Sequence, residues 1–217
     1  MTGDVSVKDL VILSADADIE FALRGLLARP SDLAIPPISV EYYRHMHHDP
    51  GCLRDSHEFL RSSLRSHAHA LVVFDRDGSG REDLTRDQIE ALVERRLAQN
   101  GWEQRAAAVV IDPELERWVW ADSSEVDRVL GWSGHTPGLH QWLRREGHLR
   151  PSQLKPERPK EALRAALRSV GKPPSSSLFE QLARCLPLNQ CQDPAFAKLV
   201  EVLRIWFGKT HAGSLQP

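Results

Sequence analysis

The feature that most constrains this chain is the run Ala70-Leu-Val-Val-Phe74, five apolar residues without a charge, ending at once in Asp75-Arg-Asp77-Gly-Ser-Gly80. Such a run is too short for a helix of ordinary length and reads as a strand buried on both faces, as in a parallel sheet. In open α/β sheets, ligands sit beyond the carboxyl ends of the strands. Two acids spaced by one residue at such an end can share a hard cation such as magnesium, whose preferred ligands are oxygens. The plainer reading is that Asp75 and Asp77 end the strand and turn the chain.

The rest of the first half repeats strand then helix. Asp9 to Ser14 is a short apolar strand, and Ala15-Asp-Ala-Asp18 turns into a helix with Phe21, Ala22 and the Leu26-Leu27 pair inward, stopped by Pro30. Residues 30–37 read as loop, and Ile38 to Tyr43 as a second strand. Asp49-Pro50 has the look of an N-cap followed by proline at the first helical position, opening a helix to about Ser66. After the central strand, Thr85 and Gln88 have capping-box spacing, and Asn100-Gly101 closes that helix. Ala106 to Ile111 is a fourth strand, and Asp112-Pro113 opens a further helix through Trp120. The pattern predicts an α/β fold, a mostly parallel four-stranded sheet flanked by helices, over residues 1–122. From 123 to 217 short helices with clear punctuation predict a helical C-terminal part packed on it. Pro159 starts one helix, Asp193-Pro194 caps the last, Lys155 to Lys160 resembles a short linker, and 211–217 is a frayed tail.

In a parallel sheet the carboxyl ends of the strands share one edge. That edge collects Asp16 and Asp18 after the first strand, Asp75 and Asp77 after the third, and Asp112, Glu114 and Glu116 after the fourth. Clustered carboxylates repel, and a cation neutralises them. Asp75 to Gly80 also matches the first six positions of a calcium-binding helix–loop–helix loop. However, Arg86 holds the twelfth place, where a bidentate glutamate is required, and a strand precedes the loop instead of a helix.

The order strand, acidic turn, helix, and a later strand ending Phe74-Asp75-Arg-Asp77 resembles the Toprim fold of topoisomerases, primases and nucleases. Ile111-Asp-Pro-Glu114-Leu-Glu116-Arg-Trp-Val-Trp120-Ala-Asp122 is similar to a segment of small Toprim-like proteins of bacterial phage-defence islands. Pro159-Lys-Glu-Ala-Leu163 and Cys191-Gln-Asp-Pro-Ala-Phe196 resemble their helical tail. More narrowly, the chain resembles the small accessory component of methylation-associated phage-defence systems. The likeness spans most of residues 9 to 207. It implies divalent-metal-dependent cleavage of nucleic-acid phosphodiesters, with magnesium or manganese on Asp75 and Asp77 and with Asp18 or Glu116 completing the shell. Asp16 or Glu114 would position the water. Other proteins of the same defence system are the implied partners.

One departure bears on that implication. Toprim enzymes carry Glu-Gly-x-x-Asp after the first strand, and here Ser14 and Ala15 stand for the glutamate and glycine, with only Asp18 matching. A serine is no base near neutral pH without activation. Either Asp16 or Asp18 has taken over, or Glu114 or Glu116 supplies the charge, or the site has become a non-catalytic interaction or sensing module.

The net charge of −2 gives no global pull toward nucleic acid, so binding must come from a local patch. The candidate is the basic run from Arg144 through Arg150, Lys155, Arg158, Lys160 and Arg164. It reads equally as phosphate contacts or as solvated helix faces. His45, His47, His48, His57, His67 and His69 with Cys52 contain enough ligands for zinc but lack the spacing of a structural finger. They read better as a wet, weakly basic surface beside the cleft, and the tryptophans as packing residues. Three cysteines without a CxxC, no apolar leader and no run of membrane length predict a soluble cytoplasmic chain with no membrane partner.

Overall fold

The computed structural model describes residues 7–120, 123–188, 191 and 193–208. Asp122, Gln192, the boundary at 122, the tail 211–217 and the first six residues lie outside them. Four strands, β1 (Lys8–Ser14), β2 (Val40–Arg44), β3 (His67–Asp75) and β4 (Ala106–Ile111), form one sheet in the order β2-β1-β3-β4, with every pairing parallel. The apolar runs lie in the middle: Leu10 to Leu13 of β1 and Ala70 to Phe74 of β3 are fully buried. The edge strand β2 is half-buried to exposed throughout.

Helix α1 (Ala17–Leu27) carries the chain from β1 to β2, and α2 (Pro30–Leu33) is a single turn started by its proline where a plain loop was expected. Helices α3 (His48–Phe59) and α4 (Arg86–Leu97) carry the chain the other way across the sheet, which for right-handed connections puts them on the opposite face. The capping box of α4 forms as its spacing predicts, Thr85 Oγ accepting from Gln88 N (3.3 Å) and Gln88 Oε1 from Thr85 N (3.0 Å). Two expected helices fall short. α3 ends at Phe59 and continues only as a 3₁₀ turn to Ser63, and the segment after Asp112-Pro113 is a single 3₁₀ turn, Leu115–Trp118, because Glu114 is fully extended.

The remaining helices are α5 (Ser124–Leu130), α6 (Leu139–Arg145), α7 (Pro159–Ser169), α8 (Ser176–Cys185) and α9 (Pro194–Phe207). The topology leaves part of α1's face bare, and these helices cover it: α8 packs on α1, and α9 runs along β4 with Trp206 stacked on His69 of β3 (4.6 Å). One continuous buried cluster runs through both halves of the chain. Trp102, Trp120 and Trp132 are buried, the last two bonding the Pro159 and Ala166 carbonyls. Among the described residues no helix is long and apolar enough to cross a membrane.

The outer edge of β4 is closed by side chains. Its Ala108 and Val110 N–H groups donate to Glu94 Oε1 (3.1 Å) and Glu90 Oε1 (2.9 Å) of α4. The charge this buries is balanced by Arg86 and by Lys198 of α9. An edge so occupied offers no ladder to another strand.

Candidate functional site

At the carboxyl edge, β3 delivers Asp75 into the interior. The residue is 6% exposed, and its Oδ1 is the one carboxylate oxygen among the described residues that is buried without a hydrogen-bond partner. Burial pushes its pKa well above the ordinary range, and the charges of Asp49, Glu116 and Asp16 push it further up, with Lys160 pulling it partly back. A carboxylate in that position is stable only when protonated or when a cation arrives.

The acids around it come from three elements: Asp49 from α3, Glu116 from the 3₁₀ turn after β4 and Asp16 from the N-cap of α1. Asp49, expected to cap α3, lies inside the helix, which begins at His48. Its carboxylate turns to the sheet and accepts the backbone N–H of Asp75 (2.8 Å), because β3 ends there with an unpaired donor. Burial, and then the charge of Asp16, raises its pKa also. Glu116, on the 3₁₀ turn after β4, is buried and pushed up to about 7 by desolvation, with Glu114 and Asp18 adding to the rise and Lys160 opposing it. The sequence reading missed Asp49 because its Asp-Pro spacing already had a structural explanation.

The remaining predicted acids have local duties. Asp16 caps α1, accepting Ile19 N (2.9 Å). Asp18 accepts the Ser176 hydroxyl from the first turn of α8. Glu114 accepts Lys160 N (2.9 Å), serving α7 as an N-cap supplied from elsewhere in the chain, where Arg158 makes no side-chain cap. Asp77 is exposed, and Asp112 pairs with Arg76 (3.2 Å). Ser14 is buried, its hydroxyl shared between the Asp16 (3.1 Å) and Tyr43 (3.3 Å) carbonyls.

The loop after β3 closes on itself. Gly78 and Gly80, with φ of 86° and 83°, aim their N–H groups at Glu82 Oε1 (2.9 and 3.2 Å). The ring of oxygens a calcium loop would need is therefore not formed.

The basic run divides. Lys160 leaves the surface and enters the acid rim, its Nζ 3.7 Å from Glu114 and 3.8 Å from Glu116. Desolvation lowers its pKa, but Glu116, Glu114 and Asp75 outweigh that and hold it above the ordinary lysine value. Elsewhere Arg145 pairs with Glu146, Arg150 with Glu157 and Arg158 with Glu161, while Lys155 donates to the Arg117 carbonyl. Arg164 is exposed. The intervening glutamates neutralise most of what the composition suggested as a phosphate track.

Beside the rim, a cleft of about 460 Å³ is lined by Asp16, Asp18, Arg44, His45, Met46 and His48. His48 Nδ1 lies 3.1 Å from the Ala15 carbonyl oxygen, which can only accept, so the neutral ring carries its proton there and leaves Nε2 as acceptor. His45 is buried against Gly51, where any Cβ would stand 1.9 Å from its Nδ1.

Among the described residues no three His, Cys, Asp or Glu side chains are gathered closely enough to hold a metal ion. Magnesium asks for less: it keeps several waters and is bound through one or two carboxylates plus a substrate phosphate. The partnerless Oδ1 of Asp75 and the oxygen-only donors beside it fit that demand. Comparison with protein-family models, curated proteins and solved structures finds no match.

Proposed function

We propose that the chain is a Toprim-like cytoplasmic component of a bacterial antiviral defence system that cleaves nucleic-acid phosphodiester bonds with a divalent cation at the sheet's carboxyl edge. The observation that carries this reading is Asp75: buried, with one oxygen unbonded, and pressed by three other acids. Asp75 and Glu116 would hold the cation, magnesium or manganese. When bound it polarises the phosphate and steadies the leaving oxygen. Asp49 fixes the end of β3 through the Asp75 N–H, so the carboxylate of Asp75 is presented from rigid backbone. Lys160 keeps Glu114 and Glu116 from repelling each other apart and leaves an ammonium facing the rim. Glu116, raised to about 7 while no cation is beside it, would give up its proton as the cation binds.

Labelled single- and double-stranded DNA and RNA, incubated with magnesium or manganese and then with EDTA, test the activity. Calorimetric titration of the same ions into the protein and into Asp75→Asn tests the site. Cation-dependent cleavage and a binding heat, both lost in Asp75→Asn, are expected. Absence of both in the parent chain counts against the reading.

One observation favours a second reading, a non-catalytic interaction or sensing subunit of the same system: the Ser14 hydroxyl is consumed by two backbone carbonyls where the family places its glutamate. That reading predicts no cleavage under any condition and a stable complex with another protein of the same defence system.

A further inference from the structure

Helices α3 and α4 both start at the carboxyl edge of the sheet, and between them, against the loop that follows β3, lies a groove of about 270 Å³. Three arginines from three elements line it: Arg54 of α3, Arg81 of the loop and Arg96 of α4. Like charges gathered round one small space repel unless something of opposite sign sits among them. Arg81 is answered, because Asp83 takes its Nε (2.8 Å) and Nη2 (3.1 Å). Arg54 and Arg96 are not.

Among the described residues neither of these two pairs with a carboxylate. Each is tethered instead by one N–H to a carbonyl of α3: Arg54 Nε to Pro50 (3.2 Å) and Arg96 Nη1 to Leu53 (3.0 Å). A carbonyl holds the side chain in place without neutralising it, and most of each guanidinium's N–H groups remain unspent. Asp55 and Glu58, the nearest carboxylates to Arg54 along α3, bond neither arginine and do not line the groove. Ser79 lines it and is 2% exposed; its hydroxyl accepts Arg81 N (3.3 Å) and donates to no described residue. A buried hydroxyl with its proton unused is a further donor for an anion. This is the reverse of the 144–164 run, whose arginines largely have glutamate partners.

The groove shares a wall with the acid rim. Pro50 lines the groove, and its neighbour Asp49 holds the Asp75 N–H (2.8 Å). Gly78, one residue before Ser79, stands so close that a Cβ on it would lie 3.8 Å from Asp49 Oδ2. We propose that the Arg54–Arg96 groove binds a phosphate group of a nucleic-acid strand and so sets a neighbouring phosphodiester at the rim, a step that rests on the reading of that rim as a phosphodiester site. Guanidinium forks match phosphate oxygens, and such contacts position a strand without reading its sequence. A carboxylate fits the same fork, but an acidic peptide brings the adjoining rim nothing to act on.

The test uses the full chain carrying Asp75→Asn, in EDTA, so that neither cleavage nor cation binding enters the measurement. Fluorescence anisotropy of a short labelled single strand is read against salt. Arg54→Gln/Arg96→Gln is expected to weaken binding by about tenfold and to flatten the log–log salt slope by about 0.7, the share of one phosphate. Arg54→Gln alone, at an exposed position and thus a safeguard should the double variant misfold, is expected to show a smaller loss of the same sign. Inorganic phosphate is expected to shift the Arg54 and Arg96 Nε–H signals in NMR spectra and to compete with the strand. Parent-like affinity and salt slope in both variants overturn the proposal. So does phosphate binding at the two arginines with strand affinity indifferent to their loss, which would assign the groove to a free phosphate. Polyglutamate competing as well as the strand overturns it too, in favour of an acidic peptide. Arginine-dependent strand binding in a chain whose parent neither binds a cation nor cleaves supports the groove and counts against the rim alone.

Discussion

Two buried acidic residues, Glu90 on α4 and Asp75 at the end of β3, are almost equally hidden, at 3% and 6% exposure. Their surroundings are opposite. Glu90 accepts Val110 N and meets Arg86 (3.1 Å) and Lys198 (3.0 Å), so both oxygens are satisfied and the edge of the sheet is sealed by the same atoms. Asp75 has a partnerless oxygen, its nearest charges are mostly acids, and the one ammonium in reach is shared with Glu114 and Glu116. Desolvation raises both pKa values, but only Glu90 has hydrogen bonds and cations set against that rise as its main countering influences. A cluster whose valences are met is structural. One whose valences are left open stores a demand that a ligand can meet.

The largest expected difference between them lies in stability. Glu90→Ala removes one member of a satisfied buried network and strands the others, a loss of about 3 kcal/mol. Urea unfolding of that variant should show the full effect. Asp75→Asn removes a charge that folding had to desolvate and is expected to leave stability within about 1 kcal/mol of the parent or to raise it. Equal destabilisation by the two substitutions would erase the contrast.

A second effect sharpens the same contrast through pH. Glu116 is raised from 4.5 to about 7, so across that window the folded chain keeps a proton that the unfolded chain has released. The unfolding free energy then falls as pH rises, by at most ~1.4 kcal/mol per unit. The penalty is absent below 4.5 and complete above about 7. His45 and His69, whose pKa values desolvation lowers, act in the opposite sense nearby, so the difference between parent and Glu116→Gln is the quantity to follow. That difference should shrink toward acid pH and plateau above neutrality. A flat difference would mean that Glu116 is not strained.

What the sequence disclosed follows from the range of the forces involved. Apolar runs such as Ala70–Phe74 and caps such as Thr85–Gln88 act within a few residues, so strands, helices and the parallel order could be read from them. That the strand ends share one edge also followed, because sheet topology alone fixes it. Three things were not legible. Asp49 had a sufficient local explanation as a cap, and only the free N–H at the end of β3 draws it away. Lys160 looked like one charge in a basic run, yet Glu114 captures its backbone N–H and thereby sets the side chain in the rim. The edge-to-face contact of Tyr43 and Phe59 joins residues from a strand and from the far end of a later helix, which no local pattern links.

The smallest effect concerns the charges that composition made prominent. Arg158 is 77% exposed and pairs with Glu161 one helical turn on, at 3.2 Å. Such a pair gains little over two hydrated ions, because water screens the attraction and holding two long side chains in place costs entropy, so Arg158→Ala should change stability by no more than ~0.5 kcal/mol. Its effect on oligonucleotide affinity should be equally slight, since displacing Glu161 offsets any phosphate contact. Lys160→Met, two residues away, should behave differently: removing the ammonium leaves Glu114, Glu116 and Asp75 to one another and moves the Glu116 titration upward from about 7, as carboxyl-carbon NMR would read. If Arg158→Ala and Lys160→Met prove alike in that titration, Lys160 belongs with the solvated run after all. The acid rim would then lack the internal cation that distinguishes it from a chance gathering of carboxylates.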